Sequence, residues 1–217
     1  MENKVSKTRR LTESAMLLAL AIVLEVAAKM FIPELPFGGQ ITLASMLPVV
    51  VISYRHGVKW GLVAAFGYAL IEMLIGMKTV SAAFLPGYFG AGTMVLSATL
   101  MCLLDYVVAF TVLGIGGCLR KRIQKPGVSL MCGSIIALSC RYLAHFLSGY
   151  ILFGGYAEWF FTQESFPAWG SAIVESLSPA LLSVVYSLVY NGMYMIPEIL
   201  ITATAALLLG KVIAKIN

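Results

Sequence analysis

The chain has 217 residues, of which 60% are apolar and 12% charged, with a mean hydropathy of +0.91. Soluble domains carry about 45–50% apolar and about 25% charged residues, so a water-soluble globule of this size would lack the charge to cover its exterior. Four cysteines (Cys102, Cys118, Cys132, Cys140) lie in apolar stretches without a CxxC pair, which excludes a disulfide scaffold and a cysteine metal knuckle. The net charge of +5 is split among separate clusters rather than massed on one segment, which argues against nucleic-acid binding.

The composition is that of a multi-spanning membrane protein, and the charge positions predict its topology. Twelve of the 15 basic residues fall in four clusters: Lys4, Lys7, Arg9 and Arg10; Arg55 and Lys59; Arg120, Lys121, Arg122 and Lys125; Lys211 and Lys215. The gaps between them carry Glu34, Glu158, Glu164 and Glu175. Basic loops stay on the cytoplasmic side, and a span needs about 20 apolar residues. The predicted spans are 11–32, 41–54 (short, hence tilted or partly re-entrant), 60–77, 99–119, 128–153 and 179–210, the last carrying Pro197 as an expected kink. Residues 1–10 form a basic cytoplasmic N-terminus, and 11–217 a single membrane domain. Its extracellular segments are 33–40, 78–98 (punctuated by Pro86, Gly87, Gly90 and Gly92) and 154–178, the last rich in aromatic residues. The run after residue 10 has the length of a span and no small-residue exit, so no cleaved signal peptide is expected. The predicted fold is an all-α integral membrane protein, a compact bundle of six transmembrane helices with both termini cytoplasmic, in a bacterial plasma membrane.

An ionisable side chain at membrane depth is costly and marks function by default. At about 1.5 Å per residue, Glu25, Glu72, Asp105, His145, Asn191 and Glu198 all lie roughly 20–30 Å from the inner end of their spans. That common depth predicts one polar site open to the outside rather than a proton path across the membrane. Arg141, His145 and Gly149 repeat at i, i+4, i+8 and share a face of the fifth span, with Phe153 flanking. Asn191, Tyr194 and Glu198 share a face of the sixth, with Tyr186 and Tyr190 one turn outward. A carboxylate, an imidazole, an amide and several phenols suit a small, flat, cationic or heteroaromatic ligand. On the first span Ala15 and Ala19 make a small-xxx-small pair that lets another helix approach closely. Glu25 is rotated about 240–280° away from that pair.

Several stretches resemble one family: 39–48 (GQITLASMLP), 54–61 (YRHGVKWG), 104–110 (LDYVVAF), 141–149 (RYLAHFLSG) and 186–192 (YSLVYNG) with Tyr194, Pro197 and Glu198. In order and over nearly the whole chain, they are similar to the thiamine-specific substrate-binding (S) components of energy-coupling factor (ECF) transporters. The resemblance implies a six-helix membrane bundle that binds thiamine at the outer side, under the loop between the first two spans. It implies docking on a transmembrane coupling subunit driven by two ATPase subunits. It makes Asp105 and Tyr106 an acidic–tyrosine pair on thiamine and His145 a ring that packs on the ligand beside Gly149. Phe153 stands where a tryptophan stacks on the pyrimidine, Tyr186 and Asn191 supply a phenol and an amide, and Phe37 is the lid aromatic. Ala15 and Ala19 are the docking motif for the coupling subunit. Thiamine fits this chemistry: its thiazolium is permanently positive and its aminopyrimidine offers a donor and acceptors.

Each residue also has a structural reading. Arg141 and Glu198 read as a structural ion pair, and Glu25 and Glu72 likewise as ion-pair residues; Asn191 serves equally as interhelical glue. Three functions compete. A substrate-binding subunit for thiamine, another vitamin or a thiamine precursor needs binding without turnover. An enzyme would need a nucleophile beside a base, and Ser148 near His145 lies in no GxSxG setting; the two histidines, His56 and His145, lie at different depths, so no metal site is expected. An autonomous secondary transporter would show an internal repeat, and none is evident. With no GxxxxGK[ST] stretch, any ATP hydrolysis by a phosphate-binding loop belongs to partner subunits. No cofactor is expected.

Overall fold

A computed structural model describes residues 6–89, 94–164 and 169–216, with side chains through residue 212. Lys4, Gly90, Gly92 and the Lys215 side chain lie outside the described residues. Nine helices appear among the described residues: α1 (Lys7–Phe31), α2 (Leu47–His56), α3 (Val58–Ile75), α4 (Met77–Ala83), α5 (Met94–Ile115), α6 (Pro126–Leu152), α7 (Ala157–Phe161), α8 (Trp169–Ser176) and α9 (Pro179–Ile216).

Local chemistry sets their ends. The Ser6 hydroxyl accepts the Arg9 N–H at 3.2 Å and caps α1. Ile32 turns extended (φ −112°, ψ 122°) because Pro33 disfavours a helical residue before it. Gly57, at φ 89°, makes the sharp corner between α2 and α3. Pro126 starts α6, where its missing N–H costs nothing. α9 runs as one 38-residue helix through Pro197.

Five helices are long and apolar enough to cross a membrane: α1, α3, α5, α6 and Pro179–Val212 of α9. The expected second span is helical only as α2, ten residues from Leu47 to His56, about 15 Å long. All of its residues from Leu47 to Tyr54 are buried in protein, so its apolar run is core, not a lipid-facing surface. α5 begins at Met94 rather than Thr99. It passes from α-helix through a π-helix at Cys102–Val108 to a 3-10 end at Val112–Ile115. The outer stretch 78–98 therefore holds most of α4 and the first turn of α5, and 154–178 holds α7 and α8.

The bundle is apolar on both sides. Ile52, Tyr68, Leu113, Leu130, Leu138 and Met195 are fully buried, whereas Leu11, Met16, Val23, Val63 and Leu200 are exposed. A water-soluble bundle would not leave that periphery apolar. Close approach depends on small residues: a Cβ on Gly133 of α6 would strike the carbonyl oxygen of Gly116 just beyond α5.

The basic clusters meet at one end. Arg10 donates to the His56 carbonyl at 3.3 Å and lies over the Trp60 ring, 4.6 Å from its centroid. Arg55 pairs with Glu13 at 3.1 Å, and Arg120 donates to the Arg55 carbonyl at 2.6 Å. One charge from each of the first three clusters that predicted topology thus falls on a single face of the bundle.

Candidate functional site

A cavity of about 120 Å³ lies in the half of the bundle remote from that basic face. The C-terminal half of α1, the loop after it, the end of α3, the π segment of α5, the second half of α6 and the first half of α9 enclose it. Asp105, Tyr106, His145, Gly149, Phe153, Tyr186, Asn191 and Phe37 all line it. Ala15 and Ala19 are exposed on the outside of α1, while Glu25, on a different face, is buried against the cavity.

The centre of the site is a polar chain that links α5 and α6. Asp105 accepts from the Ser148 hydroxyl at 2.7 Å and lies 3.0 Å from His145 Nδ1. The other imidazole nitrogen, Nε2, accepts from Arg141 Nε at 3.1 Å. These partners hold the ring edge-on to Tyr194, with centroids 5.9 Å apart. Arg141 also donates to the Met46 sulfur and lies 4.2 Å over the Phe110 ring. The π-helix is the local device that sets Asp105 and Tyr106 here, since its wider turn shifts the residues that face inward.

Asn191 serves two ends. Its amide nitrogen donates to the carbonyls of His145 (3.2 Å) and Ser187 (2.9 Å), and its oxygen accepts from the Tyr194 hydroxyl at 2.6 Å. It ties α6 to α9 while lining the cavity. Gly149 makes that contact feasible: a Cβ there would strike the Ser187 hydroxyl and come within 3.0 Å of Asn191 Nδ2.

The loop after α1 covers the mouth. Phe37 and Gly38 take consecutive left-handed conformations (φ 69° and 95°), which turn the chain back on itself. The Phe37 ring packs on Phe153 (5.4 Å), Tyr156 (4.6 Å), Trp159 (6.0 Å) and Tyr88 (6.3 Å). Tyr156 donates to the Tyr88 carbonyl, and burial pushes the Tyr88 phenol up to about 12, so this wall stays uncharged. Tyr190 holds the loop from below, accepting the Gly39 N–H at 3.2 Å and donating to the Pro36 carbonyl.

The ion pair expected between Arg141 and Glu198 does not form. Glu198 is fully buried and binds backbone instead, accepting the N–H groups of Thr42 (2.7 Å) and Ala44 (2.9 Å) and the Thr202 hydroxyl (3.0 Å). A strand-like or helical loop would need no such anchor; residues 42–44, with Leu43 and Ala44 at positive φ, leave N–H groups that require one. Glu25 accepts the Ser45 hydroxyl at 2.7 Å and pairs with Lys29 at 3.7 Å. Glu72 makes no ion pair among the described residues; the Tyr68 hydroxyl, one turn earlier on α3, is the neutral donor beside it.

The cavity includes residues that the sequence reading left outside the binding set: Glu25, Lys29, Glu34, Gln40, Glu72, Phe110, Arg141, Tyr190 and Tyr194. The signal for Glu25 and Glu72 was present in their depth. Nothing in the local pattern marked Gln40, which enters from an irregular loop.

Comparison with known proteins agrees with this architecture. The family model described as "Thiamine transporter protein (Thia_YuaJ)" matches residues 11–161. The chain is 30% identical over 216 residues to the thiamine transporter ThiT of Bacillus subtilis (strain 168), across 95% of this chain and 93% of that protein. It is 23% identical over 209 residues to the thiamine transporter ThiT of Lacticaseibacillus paracasei, across 92% and 90% of the two chains. The structure of ThiT from Listeria monocytogenes superposes with a TM-score of 0.62 at 20% identity over 95% of each chain, which shows a shared fold. Together with the apolar helices, these matches make the chain a multi-pass cell-membrane protein that belongs to the thiamine transporter family.

Proposed function

We propose that this chain captures thiamine on the extracellular side, as the substrate-binding component of an ECF-type uptake system whose ATP is hydrolysed by partner subunits. The observation that carries the reading is the convergence of Asp105, His145, Asn191 and a shell of aromatic rings on one cavity, in a member of a transporter family. The carboxylate balances the thiazolium charge, and aromatic faces add about 0.5–2 kcal/mol each through cation–π attraction. Tyr106, Tyr186 and Gly149 complete the wall around the ring system. Phe153 stacks on the pyrimidine, and Phe37 closes over it from the loop. No bond in the ligand is made or broken.

Both termini and the basic face lie in the cytoplasm on this reading, which follows from the clustering of Arg10, Arg55 and Arg120 at the end remote from the cavity. The exposed Ala15–Ala19 strip of α1 is the docking surface for the coupling subunit. It allows backbone-close packing without disturbing Glu25 on the other face.

Calorimetric titration of the detergent-purified protein with thiamine, its phosphates and other vitamins tests the function. Thiamine should bind tightly, and Asp105→Asn and His145→Ala should each weaken binding by at least tenfold. Two variants that bind like the parent refute the assigned site; a parent that ignores thiamine but takes another vitamin refutes the substrate.

A further inference from the structure

Most acidic side chains around the cavity already have donors. Asp105 has Ser148 and His145, and Glu25 has Ser45 with Lys29 nearby. Glu198 is spent on the loop backbone. Glu72 differs. It is 3% exposed, lines the cavity and makes no ion pair among the described residues; the donor beside it is the neutral Tyr68 hydroxyl, one turn earlier on α3. Gln40 also faces the cavity: its nitrogen donates to the Ile32 carbonyl at 2.5 Å, while its buried Oε1 has no partner. A neutral phenol can hydrogen-bond the Glu72 carboxylate without balancing its charge, and the Gln40 oxygen is open to a proton donor.

The charge inventory points the same way. Four carboxylates line the cavity (Glu25, Glu34, Glu72, Asp105) against two permanent cations, Lys29 and Arg141. Lys29 is drawn to the mouth, 3.7 Å from Glu25 and 3.9 Å from Glu34. Arg141 is committed to His145, Met46 and the face of Phe110, and makes no ion pair with Glu72 among the described residues. A carboxylate left without a counter-ion in a low-dielectric wall is a cost that folding alone does not recover. It becomes an attraction once a cation enters the cavity.

We propose that Glu72, with Glu25 near it and Gln40 on the same cavity lining, forms a second cation-reading pole on the α1–α3 side, separate from Asp105 on α5. The ligand class is an organic ring cation seated between the two poles, its charge read by Glu72 in addition to Asp105. This rests on the thiamine reading and assigns part of the recognition of that ligand's fixed positive charge to residues outside the set inferred from the sequence.

The test compares thiamine with its neutral isostere, in which a thiophene replaces the thiazolium, by titrating both into the purified protein and its variants. The parent should prefer the cation by at least tenfold. Glu72→Gln should lose a large part of that preference while binding the neutral compound as well as the parent does, and its thermal unfolding should be unchanged or higher. Glu25→Gln keeps the Ser45 hydroxyl as a donor to its amide oxygen and provides a second reading if Glu72→Gln does not fold; a partial loss of preference is expected. A preference unchanged in both variants overturns this pole but leaves thiamine binding intact. A parent that binds neither compound overturns the thiamine reading and the pole together.

Discussion

Glu198→Gln isolates the energetic value of one buried carboxylate. In the parent, two backbone N–H groups and one hydroxyl donate to it at 2.7–3.0 Å. Glutamine is the same size but offers a single acceptor oxygen, so its amide nitrogen must face either the Thr42 or the Ala44 N–H. One charge-assisted bond is lost, worth about 1.5–3 kcal/mol, and one buried donor is left unpaired at a cost of about 1–3 kcal/mol. These overlap, because both describe the same broken contact, so the expected loss is about 2–3 kcal/mol. For a chain of this length about 1 kcal/mol shifts Tm by about 2–4 °C, which predicts a drop of about 4–12 °C. Thermal unfolding in detergent, followed by tryptophan fluorescence, reads it directly. Adding saturating ligand should restore part of the loss, since Gly39, Gln40 and Thr42 border the cavity and binding stabilises the closed loop. A variant that melts within 1 °C of the parent refutes the backbone-anchor role of Glu198.

Three further substitutions probe separate parts of the structure. Phe37→Ala removes a ring packed on four others; stopped-flow fluorescence should show ligand leaving about tenfold faster or more, with a smaller change in association rate. Gly149→Ala forces a methyl into the Ser187–Asn191 contact. Overpacking of this kind costs about 1–3 kcal/mol, so thermal unfolding should show a Tm lower by about 2–12 °C, and a variant that melts within 1 °C of the parent contradicts the tight fit. The pair Ala15→Trp and Ala19→Trp should bind thiamine normally in detergent yet abolish cellular uptake; loss of binding as well would mean that this strip serves internal packing.

The parts of the fold legible in the sequence were those that depend on the cost of burying polar groups. Basic residues stop at the membrane boundary, so Arg10, Arg55 and Arg120 located one end of the bundle before any helix was placed. Asp105, His145 and Asn191 share a depth because one cavity requires them all, and counting residues from each boundary finds that depth. Partner choice was less legible. Periodicity puts Arg141 and Glu198 at comparable heights, but it does not show that irregular backbone at 42–44 has a stronger claim on the carboxylate. The π segment of α5 was likewise hidden: its residues are ordinary helix formers, and tertiary contacts set the wider turn. Residues 41–54 read as a short span; only Leu47–His56 is helical, and the run from Ala44 to Tyr54 is buried in protein.

That short run also explains why there is a chamber. α2 rises from the basic face only to Leu47, roughly half the membrane depth, and the column above it is occupied by non-helical chain and by empty space. Peptide groups without helical partners survive at that level only when protein shields them from lipid or when they border a hollow, and Gly39, Gln40 and Thr42 meet both conditions. Extending α2 by two turns would satisfy those peptides within one rod and fill the hollow with its side chains. Room for a guest is thus encoded as a missing length of helix, and changes in where α2 stops would alter the capacity of the chamber while leaving its walls on the other helices in place.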